Sequence, residues 1–118
     1  MGDEYNIQHG YETASVSISE RLVEKLKRLA ELEDTNINKL FGQFIRNYVG
    51  YLDKSFVQGS DWKIAQERNI ALQFYIPAAD YMAFVKKIER EGLDRRVVLL
   101  RFVENYVGFV SNTYENEE

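Results

Sequence analysis

Two stretches of the chain alternate apolar and polar side chains with a period of two. In residues 13–18, Ala14, Val16 and Ile18 alternate with small hydroxyl residues, and in residues 70–76 every second residue is a large apolar one. Such alternation is typical of a strand that buries one face and exposes the other. The pattern therefore predicts two short, half-buried strands, one in each half of the chain.

Each predicted strand is followed by two stretches in which apolar residues recur at helical spacing. In the first half the spacing predicts helices over residues 20–33 and 37–52. In the second half it predicts helices over residues 78–91 and 95–110. The predicted order of elements is therefore strand, helix, helix, repeated once.

Residues that favour helix ends stand at the borders of these segments. Ser19, either Thr35 or Asn36, and Asp94 are placed to accept a backbone N–H as N-caps. Gly92 stands where a helix commonly ends with one residue in the left-handed conformation. These signals support the predicted boundaries independently of the apolar pattern.

The second half of the chain repeats the first. The tetrapeptide Asn-Tyr-Val-Gly occurs at residues 47–50 and again at residues 105–108, an offset of 58 positions (106 − 48 for its tyrosine). The helix in front of each copy has the same apolar spacing, and the two predicted strands align at the same offset. Recurrence over this length indicates a duplicated structural unit.

We interpret the whole chain, residues 1–118, as a single domain built from two repeats. Repeat one is residues 13–52, repeat two is residues 70–110, and residues 53–69 form the linker between them. Each repeat is about 40 residues long, a size at which a chain seldom folds alone. We therefore expect the two repeats to share one core.

The net charge of −4 is carried by the two ends of the chain. Residues 1–12 and residues 111–118 each contain three acidic side chains and no lysine or arginine, so each end carries −3. We expect both ends to be flexible acidic tails. Residues 13–110 carry the remaining +2, so the folded body is slightly basic and a nucleic-acid partner stays open.

Several functional classes lack the residues that they need. With no cysteine and a single histidine, His9, the sequence leads us to expect no disulfide, no metal site and no cofactor. It contains no nucleophile–base pair and no phosphate-binding glycine loop, so we do not expect an enzyme. No apolar run approaches the roughly 20 residues of a membrane span, and no secretory signal is visible. We therefore expect a soluble cytoplasmic protein that binds no membrane.

The repeated order of strand, helix, capped turn and second helix resembles the ribbon-helix-helix superfamily of the Arc and methionine repressors. The resemblance covers residues 13–52 and 70–110, and it rests on residues 15–20, 36–41 and 72–77. In that family, strands from two chains pair into an antiparallel ribbon. Here the resemblance implies a mainly α fold with a short two-stranded antiparallel β-ribbon. One chain supplies both halves, as a tandem ribbon-helix-helix and intrachain pseudo-dimer of order β-α-α-β-α-α.

The physics of strand edges agrees with this implied arrangement. A lone strand would leave unpaired N–H and C=O groups along both of its edges. Antiparallel pairing satisfies one edge of each strand and lets the ribbon bury one face over the four helices. The side chains expected on that buried face are Val16, Ile18, Phe74 and Ile76.

In the ribbon-helix-helix superfamily, outward side chains of the ribbon enter the DNA major groove, and the N-terminus of each second helix meets a phosphate. The resemblance therefore implies a regulator that binds double-stranded DNA, either to control transcription or, as in some tandem members of the family, to act at an origin or plasmid site. The side chains implied to read bases are Thr13, Ser15, Ser17, Ala71, Gln73 and Tyr75. The residues implied to contact phosphates are Asn36, Ile37, Asn38, Arg95 and Arg96.

The implied ribbon departs from the family pattern, in which arginine or lysine usually stands among the base-reading residues. None of the six implied readers here is charged. Gln73 can pair with adenine and the hydroxyl groups can contact any base, so we expect weak or salt-sensitive binding. Because the two strands differ in sequence, we expect an asymmetric DNA site, bound by a monomer or by molecules that associate further on the DNA.

A protein-binding module on the same scaffold is the alternative. The uncharged ribbon, with Tyr75 and the small Ser15 and Ser17, would then dock a protein partner. The acidic tails would repel nucleic acid or attract a basic partner. An inhibitor of a host protein, encoded by a phage or a mobile element, fits this alternative. The sequence alone leaves the choice between the two open.

Overall fold

The computed structural model describes residues 10–57 and 69–115, and within them the fold is mainly helical. Strand β1 and two helices are followed by strand β2 and two more helices, with a short 3-10 helix inserted before β2. The bounds are β1 Tyr11–Ser19, α1 Glu20–Leu32, α2 Ile37–Gly50, 3-10 helix Lys54–Phe56, β2 Asn69–Pro77, α3 Ala78–Arg90 and α4 Arg95–Glu115.

The two strands that the alternating sequences predict are present, and they pair as the antiparallel ribbon that the resemblance implies. The register runs through nine opposed pairs, and the central pair is Ser15 opposite Gln73. One face of the ribbon is buried and the other is exposed. The inward side chains expected from the sequence are all buried: Val16, Ile18, Phe74 and Ile76.

The helix ends follow the local sequence signals. Ser19 caps α1 by accepting the N–H of Leu22 at 3.2 Å, and Asn36 caps α2 by accepting the N–H of Lys39 at 3.0 Å. Gly92, which follows the end of α3, has a φ of 71°. The structure confirms these three predictions. Each feature could be predicted because it depends on a side chain or a conformation that acts within a few residues.

The second helix of each repeat ends elsewhere than its apolar pattern predicts. We expect α2 to reach residue 52, but it ends at Gly50. We expect α4 to end near Val110, but it continues to Glu115, and the Val110 side chain is buried in the core. Residues 111–115 are therefore helical and do not belong to a flexible tail.

Strand β1 also begins earlier than its alternation predicts. Tyr11 and Glu12, which we assign to the acidic tail on sequence, form the first two residues of β1. The expectations for residues 1–9, which include His9, and for residues 58–68 and 116–118 lie outside the described part of the chain.

The core beneath the ribbon contains aromatic rings from both repeats. Phe41 of α2 stacks on Phe74 of β2, with ring centroids 4.3 Å apart. Phe44 of α2 stacks on Phe102 of α4, again at 4.3 Å, and meets Phe84 of α3 edge-on at 6.3 Å. Because rings of one repeat fill the space between elements of the other, the ribbon and all four helices are held to one core.

Candidate functional site

The exposed face of the ribbon carries all six side chains that the family resemblance implies to read bases. Their positions alternate with the buried residues of each strand, so the pleat directs them away from the core. The exposed residues that the sequence predicts are Thr13, Ser15 and Ser17 on β1 and Ala71, Gln73 and Tyr75 on β2. The structure therefore brings the six together on one surface.

This surface is uncharged and differs between its two ends. Ser15 lies opposite Gln73 in the central pair, and Ser17 lies opposite Ala71 towards one end. At the other end Thr13 faces Tyr75, whose side chain is 48% exposed. The surface therefore offers hydrogen-bonding groups in its centre and an aromatic ring at one end only.

Tyr11, which is not among the residues predicted from the sequence, adds a second exposed aromatic ring to this end of the ribbon. Tyr11 stands two residues before Thr13, so it shares the outward face of β1, and its side chain is 46% exposed. It lies opposite Pro77 and diagonal to Tyr75 in the register, a separation that aromatic side chains can span. The signal that could have found it is its phase with the alternating residues of β1.

The N-terminus of α2 lies beside β2. Asn36 uses its side chain as the helix cap, and Ile37 is half-buried against the core. Asn38 uses its side-chain oxygen to accept the backbone N–H of Tyr75 at 2.8 Å. Both asparagine side chains therefore serve the fold, and Asn38 fixes the start of α2 to the ribbon.

The N-terminus of α4 lies beside β1 and brings two arginines there. The Asp94 carboxylate turns inward and accepts the backbone N–H of Arg96 at 2.7 Å, which confirms its role as a cap. Arg96 donates from Nε to the Ser17 carbonyl at 3.2 Å. Arg95 is exposed, and its Nη1 donates to the Tyr81 hydroxyl at 3.0 Å. Cations thus flank the ribbon even though none lies on it.

The contacts of the two helix N-termini with the ribbon are equivalent under the sequence repeat. Asn38 and Arg96 are 58 positions apart, and so are the strand residues that they bind, Ser17 and Tyr75 (96 − 38 and 75 − 17). In each case the second helix of one repeat holds the strand of the other repeat. The exposed ribbon is therefore positioned from both sides.

A cluster of titratable groups lies away from the ribbon, where α3 meets the end of α2. The Tyr48 hydroxyl donates to Glu91 at 2.6 Å, and Lys87 donates to the Tyr48 carbonyl at 2.7 Å and to the Leu52 carbonyl. Burial, followed by the hydrogen bond to the Glu91 carboxylate, raises the pKa of the Tyr48 hydroxyl. Because each group is bound to another part of the fold, this cluster stabilises the packing of two helices.

Two other kinds of feature, metal sites and membrane-spanning helices, were looked for among the described residues. Among them, no group of three histidine or acidic side chains is placed to hold a metal ion. No helix within residues 10–57 and 69–115 is long and apolar enough to cross a membrane. Comparison of the chain with models of protein families, with curated protein sequences and with solved structures found no match.

Proposed function

We propose that this protein is a DNA-binding protein of the ribbon-helix-helix type, which regulates transcription by placing the exposed face of its ribbon in the major groove. The observation that carries the proposal is the exposed ribbon, flanked on both sides by the N-termini of α2 and α4. A two-stranded ribbon fits the width of the major groove, and helix N-termini favour phosphate. Its function on this view is binding, without catalysis.

The symmetry of the contacts supports a pseudo-dimer formed by the two repeats. Ser15 and Gln73, the central pair of the ribbon, are separated by the repeat offset of 58 positions (73 − 15). Phe44 and Phe102, which stack on each other, have the same offset (102 − 44). A two-fold axis that relates two subunits brings equivalent residues together where it crosses their interface. These two pairs are where such an axis would lie.

The side chains of the ribbon are suited to weak, sequence-dependent binding at an asymmetric DNA site. The Gln73 amide can donate to and accept from adenine, and the hydroxyls of Thr13 and Ser15 can contact any base. Arg95 and Arg96, with the backbone N–H groups at the start of both second helices, would contact phosphates. Because the residues equivalent to Arg95 and Arg96 are the uncharged Ile37 and Asn38, the binding is expected to be asymmetric, and because it uses phosphate contacts it is expected to be sensitive to salt.

Protein binding through the same face is the second candidate. The observation that favours it is the pair of exposed rings, Tyr11 and Tyr75, on a face without charge. Aromatic residues are enriched at protein interfaces, whereas DNA-binding surfaces are usually strongly positive. On this view the chain binds little or no DNA, and its protein partner contacts this end of the ribbon.

Selection of DNA sites by the purified protein tests the proposal. The protein is incubated with a random duplex pool at about 50 mM and about 150 mM salt, a range over which phosphate contacts weaken steeply, and bound DNA is sequenced. We expect an enriched, asymmetric site that survives the higher salt. Replacing both Gln73 and Tyr75 with alanine should abolish the preference at the bases they contact, since each good base contact contributes about 1–3 kcal/mol.

Tyr51→Ala provides the matched control for the tyrosine change. Tyr51 is 71% exposed and follows the C-terminal end of α2, about 20 Å along the helix from the ribbon at 1.5 Å per residue. This variant should select the same site as the unaltered protein. Failure to enrich any site at either salt concentration would contradict the DNA proposal and favour a protein partner of the ribbon.

A further inference from the structure

The outer edge of β1 exposes backbone groups that pair with no strand in residues 10–57 and 69–115. The sheet in the described part of the chain has two strands, so β1 has β2 on one side only. The Ser17 carbonyl accepts a hydrogen bond from Arg96 across the other side, so the backbone of Ser17 faces outward. Backbone direction alternates along an antiparallel strand, so Thr13 and Ser15 direct their N–H and C=O groups to this same edge.

A groove of about 520 Å³ runs along this edge. Residues 12–17 of β1 form one side of the groove. The other side is formed by Tyr81 of α3 and by three residues at the start of α4: Asp94, Arg95 and Arg96. The outward backbone groups of Thr13 and Ser15 therefore lie in a concave site and not on an open surface. A segment in the extended conformation fits such a site, because it can supply the missing hydrogen bonds of the edge.

The charges of the groove favour an acidic occupant at the end formed by α4. Arg95 is exposed there, and Arg96 lies next to it. The Asp94 carboxylate is occupied by the N–H of Arg96, and the other acidic residue of the groove, Glu12, stands towards the opposite end of the strand segment. A carboxylate of a bound molecule can therefore pair with Arg95, because Asp94 already accepts a hydrogen bond and Glu12 lies towards the other end of the groove.

The edge of β2 has different chemistry. The residues that correspond to Tyr81, Arg95 and Arg96 by the repeat offset are Val23, Ile37 and Asn38, none of which is charged. Asn38 is short, and its side chain accepts the N–H of Tyr75 directly. The two arginines beside β1 therefore have no charged counterparts at the equivalent positions beside β2.

We propose that the groove along β1 binds an extended peptide that carries an acidic side chain and adds to the ribbon as a third strand. Its main chain bonds to Thr13 and Ser15, and its carboxylate pairs with Arg95. This site uses the edge of the ribbon and not its exposed face. It is therefore a second binding site that does not depend on whether the face binds DNA.

The probe is a library of linear seven-residue peptides displayed on phage and selected on the whole protein. A synthetic copy of an enriched peptide is then titrated into isotope-labelled protein. We expect enriched peptides to contain aspartate or glutamate, and we expect the amide signals of Thr13, Ser15 and Ser17 to shift more than those of β2. Either the absence of enrichment or shifts confined to other surfaces would overturn the proposal.

Proline substitution distinguishes the two edges. Ser15→Pro removes an outward N–H from the edge of β1, and Gln73→Pro removes the equivalent N–H from β2 at the position directly opposite. We expect Ser15→Pro to lower the affinity for the selected peptide about tenfold, as for the loss of one or two hydrogen bonds. We expect Gln73→Pro to leave this affinity within about twofold of its original value. Equal losses in both variants, with both folded by circular dichroism, would contradict the proposal.

Charge reversal tests the pairing without a change in the strand. Arg95→Glu should lower the affinity for the peptide about tenfold or more, and this loss of affinity should be smaller at high salt. If a short duplex DNA shifts the Thr13 and Ser15 amides and the enriched peptides do not, the groove holds nucleic acid and the peptide proposal is wrong. The variants and the amide map together decide the matter even if one proline variant does not fold.

Discussion

Tyr48 and Tyr106 occupy equivalent positions in the two repeats but have different surroundings. The Tyr48 hydroxyl donates to Glu91, whose other oxygen accepts the N–H of Lys54 at 3.2 Å. The Tyr106 hydroxyl is buried, and none of the described residues forms a hydrogen bond with it; burial, with the charge of Glu33, raises its pKa. A buried polar group costs free energy unless it is paired, so the two hydroxyls should affect stability in opposite directions.

Removing each hydroxyl separately tests this difference. Tyr48→Phe should lower the free energy of unfolding by about 1–2 kcal/mol, because it removes a hydrogen bond to a charged group. Tyr106→Phe should leave it unchanged or raise it by up to about 1 kcal/mol, because it removes an unpaired buried group. Chemical denaturation of both variants gives the comparison, and each serves as the control for the other. Equal destabilisation would show that Tyr106 has a partner after all.

The first helix of each repeat ends in the same way, with two different residues at the critical position. Asp34 after α1 has a φ of 56°, and Gly92 after α3 has a φ of 71°. The following N–H groups, of Thr35 and Leu93, bond back to carbonyls at equivalent positions, 2.8 and 3.0 Å away. This pattern terminates a helix with one residue in the left-handed conformation, which glycine adopts at the least cost.

Exchange at these two helix ends should change stability in opposite directions. Asp34→Gly should stabilise the protein by about 0.5–1 kcal/mol, and Gly92→Ala should destabilise it by about 1 kcal/mol. A Cβ at Gly92 would meet no heavy atom within 4 Å, so the loss should come from the backbone conformation alone. Thermal unfolding measures both changes. A stabilising Gly92→Ala would contradict the assignment of these turns.

At the scale of the whole molecule, both strands of the ribbon and the helices that pack beneath it belong to one chain. The ribbon pairs β1 with β2 of the same chain, and aromatic stacking joins α2 to α4. No second chain is needed to bury the inner face of the ribbon. We therefore expect a folded monomer of 13.9 kDa in solution.

A disulfide across the central pair of the ribbon tests this expectation. Ser15 and Gln73 form a pair without mutual backbone hydrogen bonds, for which a Cα separation of about 4.5 Å suits a disulfide. The chain has no other cysteine, so Ser15→Cys combined with Gln73→Cys should oxidise to a monomer that runs at 13.9 kDa without reductant.

Each single cysteine variant is the control for this experiment, because neither can close a disulfide within one chain. Covalent dimers as the main product of the double variant would show that the ribbon forms between two chains. That result would contradict the intrachain arrangement but would leave the proposed use of the exposed face open, since the same six side chains would still lie together.

The elements of this fold depend on short-range patterns that are visible in the sequence. The strands follow from alternation, the caps from Ser19 and Asn36, and the left-handed turn from Gly92. The outward direction of the six candidate residues follows from the same alternation. These features could be predicted because the physical cause of each acts within a few residues.

Other features depend on residues that are distant in sequence. Nothing local distinguishes Lys87 from Lys86, yet Lys87 binds the carbonyls where α2 ends. Arg96 is a polar residue in front of the apolar pattern of α4, and nothing in its neighbours marks it out. In the structure its side chain donates a hydrogen bond to the Ser17 carbonyl of the other repeat. The groove along β1 arises only where Arg95 and Tyr81 meet that strand.

The sequence by itself therefore determined the two repeats, the order of their elements and the exposed face of the ribbon, because periodicity and capping are properties of neighbouring residues. Only the tertiary structure decided where α2 and α4 end, which of the equivalent tyrosines is paired, and which edge of the ribbon is cationic. Tyr48 and Glu91 are 43 positions apart, and Arg96 and Ser17 are 79 positions apart, so these contacts exist only once hydrophobic burial has packed the two repeats together.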